Sequence, residues 1–230
     1  MTHKIVPGEG SDTPDIFFIG EAPGEKEEQQ GHPFIGYSGD LFRTSLQRVG
    51  IDVRQPPKNR INDWAKISKK FGRVPNDIVT HSLVQLYRDI AKRKPKVLVP
   101  MGNVGMWALL GHEKIARWRG SVLPATLDQH RIGLVAPFLN SSEMYSVLSE
   151  VIKCKVVPTW HPAAVTRQYN LRPVFEKDLA KAKRETTYPE LRYPQRQIWL
   201  DPDRATAHTL AEKLLASPYI GCDIETPGGK

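Results

Sequence analysis

Glu21 stands in a loop whose path its neighbours dictate. In FFIGEAPGE, residues 17–25, an apolar run stops at Gly20 and the chain turns at Pro23-Gly24. Glycine adopts φ > 0 freely and proline fixes φ, so Gly20, Pro23 and Gly24 predict a strand end and a tight loop rather than helix. A loop that leaves the carboxyl end of a parallel strand and enters a helix is where α/β sheets place ligands. Taken alone, the same residues also suit a plain surface turn. Two other groups could do chemistry. Lys58, Arg60, Lys66, Lys69, Lys70 and Arg73 surround Trp64 and Phe71; this mixture grips phosphates and stacks bases, or makes a solvated loop. Asp223 and Glu225 in GCDIET lie two residues apart. On a strand both carboxylates face one way and offer oxygen ligands to Mg²⁺.

The elements that must position these groups follow from apolar spacing. A first strand is expected over Asp15 to Gly20, and a helix over Asp40 to Val49, with Leu41, Phe42, Leu46 and Val49 inward. Pro56-Pro57 forces extended chain, and Arg60 to Lys66 reads as a short strand or its mouth. Thr80 to Lys92 places Leu83, Leu86, Tyr87 and Ile90 on one helical face. KVLVP, 96–100, is a buried parallel strand by its continuous apolar character. Met101-Gly102-Asn103 then turns into a helix ending near Leu110-Gly111. Residues 121–152 are the least legible, with a helix expected over Ser141 to Ile152; a last strand, Lys155 to Trp160, and a closing helix, Pro173 to Arg184, follow. Alternating strands and helices predict a three-layer α/β/α fold with a mostly parallel central sheet.

Composition narrows the class. A chain of 230 residues holds one good-sized domain plus a smaller piece. No apolar run approaches the ~20 residues of a membrane helix. Two cysteines, Cys154 and Cys222, stand far apart without CxxC pairing, which fits a reducing cytoplasm. Residues 1–184 carry 28 Lys/Arg against 18 Asp/Glu, and residues 185–230 carry 5 against 7. A basic domain with an acidic tail suits a polyanionic partner. No GxSxG or GKS/T motif points to an α/β hydrolase or a P-loop protein.

GEAPGEKEEQQGHPFIGYSG, residues 20–39, and PTWHPAAV, residues 158–165, resemble the first and second motifs of the uracil-DNA glycosylase superfamily. The likeness is greatest to its family four enzymes and spans roughly residues 12–184. Their first motif runs G-E-A/G-P-G, then acids, then G-x-P-F-V/I-G-x-A/S-G; the second is His-Pro-Ser/Ala. The strand–Gly–helix at 96–110 and Arg117 to Gly120 resemble further family elements. The resemblance implies removal of uracil from DNA by hydrolysis of its N-glycosidic bond, after the base has left the stack.

It also implies roles. Phe34, thirteen residues after Glu21, falls where the family stacks the base. Gly20 and Ala22 would line the base site. His161 takes the position that steadies the leaving anion at O2, which either imidazole state can do. Glu21 is the first choice to orient water or steady the sugar cation, with Glu27 as its rival. Gly24 falls where another branch has a tyrosine that helps to exclude thymine. Asn62, about forty residues after Glu21, would read the uracil edge, with Asn59 as alternative; RINDWAK matches the family's T-N-x-x-K-C-R-P only loosely. Arg167 would probe the DNA, with Lys66, Lys69 and Lys70 gripping phosphates. Family four also implies a four-iron, four-sulfur cluster on four cysteines. This chain has none in 1–14 or 50–95, and Lys66, His81 and Ser82 do not substitute, so no cluster and no cofactor is expected.

From Glu185 the character changes: a Pro-stiffened linker, 185–197, then a strand Ile198-Trp199-Leu200, a helix Asp201 to Ser217 with Leu210, Leu214 and Leu215 inward, and the GCDIET strand. DIET resembles the first motif of DEDD 3′–5′ exonucleases, as in A-family DNA polymerases. The organisation expected is therefore a flexible 1–14, a glycosylase-like domain 15–184, a linker 185–197 and an exonuclease-like fragment 198–230. Mg²⁺ at Asp223 and Glu225 would require a complete exonuclease domain, and this fragment is expected to be inactive as one. Partners expected are DNA and downstream polymerase domains, with no membrane. The rival reading is a catalytically inactive uracil- or template-binding module.

Overall fold

Four short apolar segments build one sheet. The computed structural model describes residues 6–21, 23–51, 76–193 and 198–221. In chain order the first unit holds β1 (Ile16–Ile19), α1 (Glu25–Gln30), α2 (Tyr37–Arg48), α3 (Asn76–Arg93) and β2 (Val97–Pro100). Then come α4 (Asn103–Leu110), α5 (Ile115–Trp118), β3 (Leu123–Pro124), α6 (Gln129–Val135) and α7 (Ser141–Ile152). It closes with β4 (Lys155–Val156), α8 (Pro162–Arg167) and α9 (Arg172–Glu185). The strand order is β1-β2-β4-β3. β1 pairs parallel with β2, Ile16 opposite Val97, and β2 parallel with β4, Val97 opposite Lys155. The short β3 is antiparallel to β4. An isolated bridge between Met101 and Thr159 extends the pairing of the two chains beyond the regular strands.

Strand residues alternate between faces, and the two cores show it. Phe17, Ile19, Leu98 and Val156 join Leu83, Leu86, Tyr87 and Ile90 of α3, with residues of α4, α6 and α7, in one apolar cluster. Phe18, Val97, Val99 and Val157 join Leu41, Phe42 and Leu46 of α2 with Phe175 and Leu179 of α9 in the other. The sheet is thus covered on both sides, giving the three-layer α/β/α arrangement that the alternating pattern predicts. Gly105 lets α4 lie close on β1: a Cβ there would meet the Ile19 carbonyl oxygen at 3.0 Å.

Two buried cations lock the periphery. Arg131 donates to the carbonyls of Trp107 and Ala108 at the end of α4 and pairs with Asp128. Lys155, 2% exposed, donates to the carbonyls of Glu185 and Tyr188 and lies over the Tyr188 ring. This holds the chain that follows α9, and the first unit runs to Leu191. The change in composition at Glu185 therefore falls inside it.

The second unit, 192–230, corrects two expectations. Ile198-Trp199-Leu200 is not a strand. Ile198 and Leu200 are exposed instead, while Trp199 meets Lys213. The helix is the shorter α10 (Arg204–Leu215), started by Asp203, whose carboxylate accepts from the Thr206 N–H. Its leucines do not form an inward face: Leu214 is half exposed, Leu215 is 83% exposed and Leu210 is only partly covered. Among the described residues no apolar layer covers this helix. The GCDIET strand, with Asp223 and Glu225, lies outside the described residues apart from Gly221, as does the expected Arg60 to Lys66 strand.

Candidate active site

β1 delivers its chain to the carboxyl edge of the sheet. The strand ends at Ile19, Gly20 is buried, and Glu21 is exposed on the first turn of the loop. Gly24 is extended and opens α1, so the acidic run coils into a helix rather than remaining loop. Glu27, on that helix, turns its carboxylate back to the Gly24 N–H at 2.5 Å and accepts from the backbone of Phe34 and Ile35. Burial raises its pKa, and those hydrogen bonds with the nearby Arg43 pull the other way. Glu27 thereby ties both ends of the motif together.

Phe34 sits at φ 54°, a left-handed conformation that costs an aromatic residue of order 1–3 kcal/mol. Three neighbours impose it. Glu27 holds its N–H, the Arg43 guanidinium donates to its carbonyl, and Gly39 leaves room beneath. A Cβ on Gly39 would lie 1.8 Å from that carbonyl oxygen. The ring packs on Phe42 at 5.0 Å between centroids, and Phe42 meets Phe18 edge-on at 5.1 Å. Phe34 is only half-buried, so its ring is backed by the core yet open to the cavity beside it.

His161 arrives from the other strand. After β4 the chain passes Thr159, whose carbonyl accepts from the Gly102 N–H at 2.9 Å. Gly102 has φ 89°, and a Cβ there would press on the His161 Cβ at 3.2 Å. His161 is the N-cap of α8, its Nδ1 accepting from the Ala163 N–H at 3.2 Å. An accepting Nδ1 bears no proton, so the neutral ring carries its hydrogen on Nε2. Burial, reinforced by the Arg167 charge, pushes the imidazole pKa down to about 4. The ring is therefore neutral at physiological pH.

A buried carboxylate stands behind this strand. Asp178 of α9, 2% exposed, accepts from the Thr159 hydroxyl at 2.8 Å and from Arg119 Nε at 2.8 Å. Gly120 fits against it, since a Cβ there would be 2.6 Å from Asp178 Oδ1, and its N–H donates to the Pro158 carbonyl at 2.8 Å. The Arg-Gly pair thus fixes the strand two residues before His161. Trp160 packs against both apolar clusters from its place beside the histidine.

Between these elements lies a cavity of about 550 Å³, within the range of small-molecule sites. Glu21, Glu27, Phe34, His161 and Arg167 all line it, although more than a hundred residues separate the two motifs. Gly20 precedes the lining rather than joining it. Desolvation raises the Glu21 pKa, opposed by Arg167. Its accessible surface keeps that carboxyl hydrated, so the shift carries no stability here. Ala22, Asn59, Asn62, Lys66, Lys69 and Lys70 lie outside the described residues. Asp178, Arg43 and Gly39 were not singled out from the sequence. The Arg119-Gly120 pair was the available signal for the first, and the last glycine of the GYSG turn for the third.

The family four cluster does not fit this chain. It needs four thiolates, and the chain has two cysteines. Cys154 is buried, its thiol donating to the carbonyls of Pro95 and Glu150 at 3.3 and 3.4 Å, and burial pushes its pKa up to about 12. It lies at the amino end of β4, opposite the cavity.

Similarity to known proteins agrees with the geometry. A type-4 uracil-DNA glycosylase of Pyrobaculum aerophilum is 31% identical over 181 residues, covering 77% of this chain and 81% of that protein. One from Sulfurisphaera tokodaii is 29% identical over 194 residues, 81% of this chain and 77% of its own length. A DNA polymerase of Bacillus phage SP01 is 24% identical over 177 residues, 76% of this chain but 16% of that protein. Residues 7–186 match the model of the uracil DNA glycosylase superfamily, and the chain belongs to that family.

Proposed function

We propose that this chain hydrolyses the N-glycosidic bond of a uracil flipped out of DNA. The observation that carries the reading is the meeting of Glu21, Phe34 and His161 around one cavity. In the reaction the C1′–N1 bond breaks, its electron pair leaves with the base, and water adds to C1′ to give free uracil and an abasic site. The sugar becomes cation-like while negative charge grows on uracil O2. Phe34 offers the flipped ring a rigid apolar face. His161, neutral and protonated on Nε2, donates a hydrogen bond to O2 without first giving up a solvated charge. Glu21 steadies the sugar cation or orients the attacking water, as its carboxylate form can do. Glu27 is the brace of the loop rather than a second acid, because its oxygens already accept from Gly24, Phe34 and Ile35. Arg167, exposed on the rim, meets the DNA backbone.

Alkaline cleavage of a single-uracil oligonucleotide tests this in EDTA, with wild type beside His161→Ala and Glu21→Ala. Removing a preorganised donor to a developing oxyanion lowers turnover about 10²–10³-fold. Absence of cleavage by the wild type overturns the reading. The match to a phage DNA polymerase supports a second reading, that the domain serves as the N-terminal part of a polymerase-related protein. On that reading a silent site would bind uracil or template without cleaving it. Tighter binding to uracil DNA than to thymine DNA, with no release, marks that outcome.

A further inference from the structure

Tyr37 stands out on the rim of the cavity. It is the first residue of α2, lines the opening and is 75% exposed. No hydrogen bond, ion pair or ring contact holds it among the described residues. Its backbone, by contrast, is set: Gly36 before it has φ 85° and ψ −176°, a conformation open to glycine alone, and the helix follows. Other tyrosines are as exposed, but among the described residues Tyr37 is the one that lines this cavity. Lys26 and Arg167 line the same opening, both exposed and without an ion pair among the described residues. An exposed aromatic plane with cations beside it is a combination by which proteins take up single-stranded nucleic acid.

We propose that Tyr37 is a stacking platform for the nucleotide next to the one seated in the cavity, in single-stranded DNA. An unpaired base offers its whole face to the ring, whereas a duplex keeps that face inside its own stack. Lys26 and Arg167 meet the phosphates on either side. The identity of the base in the cavity rests on the function proposed above; the platform does not.

Base–aromatic stacking contributes about 1–3 kcal/mol, or roughly 5- to 150-fold in Kd. The probe is a uracil-containing single strand with 2-aminopurine beside the uracil, titrated with the whole chain in EDTA at several salt concentrations. Wild type should quench the fluorophore on binding. Tyr37→Ala should lose the quench and bind at least about fivefold more weakly, while Tyr37→Trp restores both. The salt slope should stay unchanged in Tyr37→Ala, since phosphate contacts are untouched. The same sequence as duplex should bind both proteins alike. Unaltered single-strand affinity in Tyr37→Ala, or an absent quench in wild type, overturns the platform. A normal quench with no uracil release would leave the platform standing and remove the glycosylase; release without a Tyr37 effect does the reverse.

Discussion

Replacing His161 with asparagine should flatten the acid limb of the stability curve. Asparagine keeps an oxygen to accept the Ala163 N–H, so the start of α8 survives the change. What disappears is the titration. In the folded chain the imidazole protonates only near pH 4, against 6.5 for an exposed histidine. Between those values the unfolded chain binds a proton that the folded chain refuses, so stability rises with pH across that window and falls as pH drops. Each pH unit is worth about 1.4 kcal/mol, which over the window amounts to about 3 kcal/mol. Urea unfolding at pH 7 and pH 4, followed by circular dichroism, should show wild type losing about 3 kcal/mol more than His161→Asn. Uracil release by wild type should fall on the acid side as Glu21, whose pKa burial raises above the usual carboxylate value, loses its carboxylate form, ahead of the protonation of His161 at about 4. Parallel stability curves for the two proteins, or a His161 proton titration near 6.5, would refute the neutral-imidazole reasoning.

Two other substitutions probe the frame. Asp178→Ala leaves Arg119 without its buried partner and Thr159 without its acceptor, and should destabilise by about 3–5 kcal/mol in urea while also weakening uracil release. Gly39→Ala forces a methyl group against the Phe34 carbonyl and should cost about 1–3 kcal/mol by the same measurement, with loss of uracil release beyond that explained by unfolding.

The parts of the fold that the sequence announced are those where one local rule suffices. The apolar runs at 16–19 and 97–100 form the predicted strands, and α7 spans Ser141–Ile152 as its spacing requires. The Glu21 and His161 motifs were legible because glycine and proline mark strand ends, and the fold brings them to one cavity. Long-range matters were not. The acidic run at 25–30 carries no apolar face, yet it becomes α1 because Glu27 caps it and grips Phe34. The strand β3 is two residues long and owes its form to pairing with β4. Ile198-Trp199-Leu200 shows the converse: strand-forming residues alone do not make a strand. Asp178 reads as an ordinary helical acid until tertiary structure sets it beneath Thr159.

The central claim is that this cavity releases uracil using only the chain's own side chains. Chromatographic quantification of the free base, after incubation of a single-uracil strand with stoichiometric protein in EDTA, measures it directly. One uracil per strand, matched by one abasic site and slowed about a hundredfold or more in His161→Ala, is the result predicted. An intact strand with no free uracil, from a protein whose circular dichroism shows it folded, would contradict it.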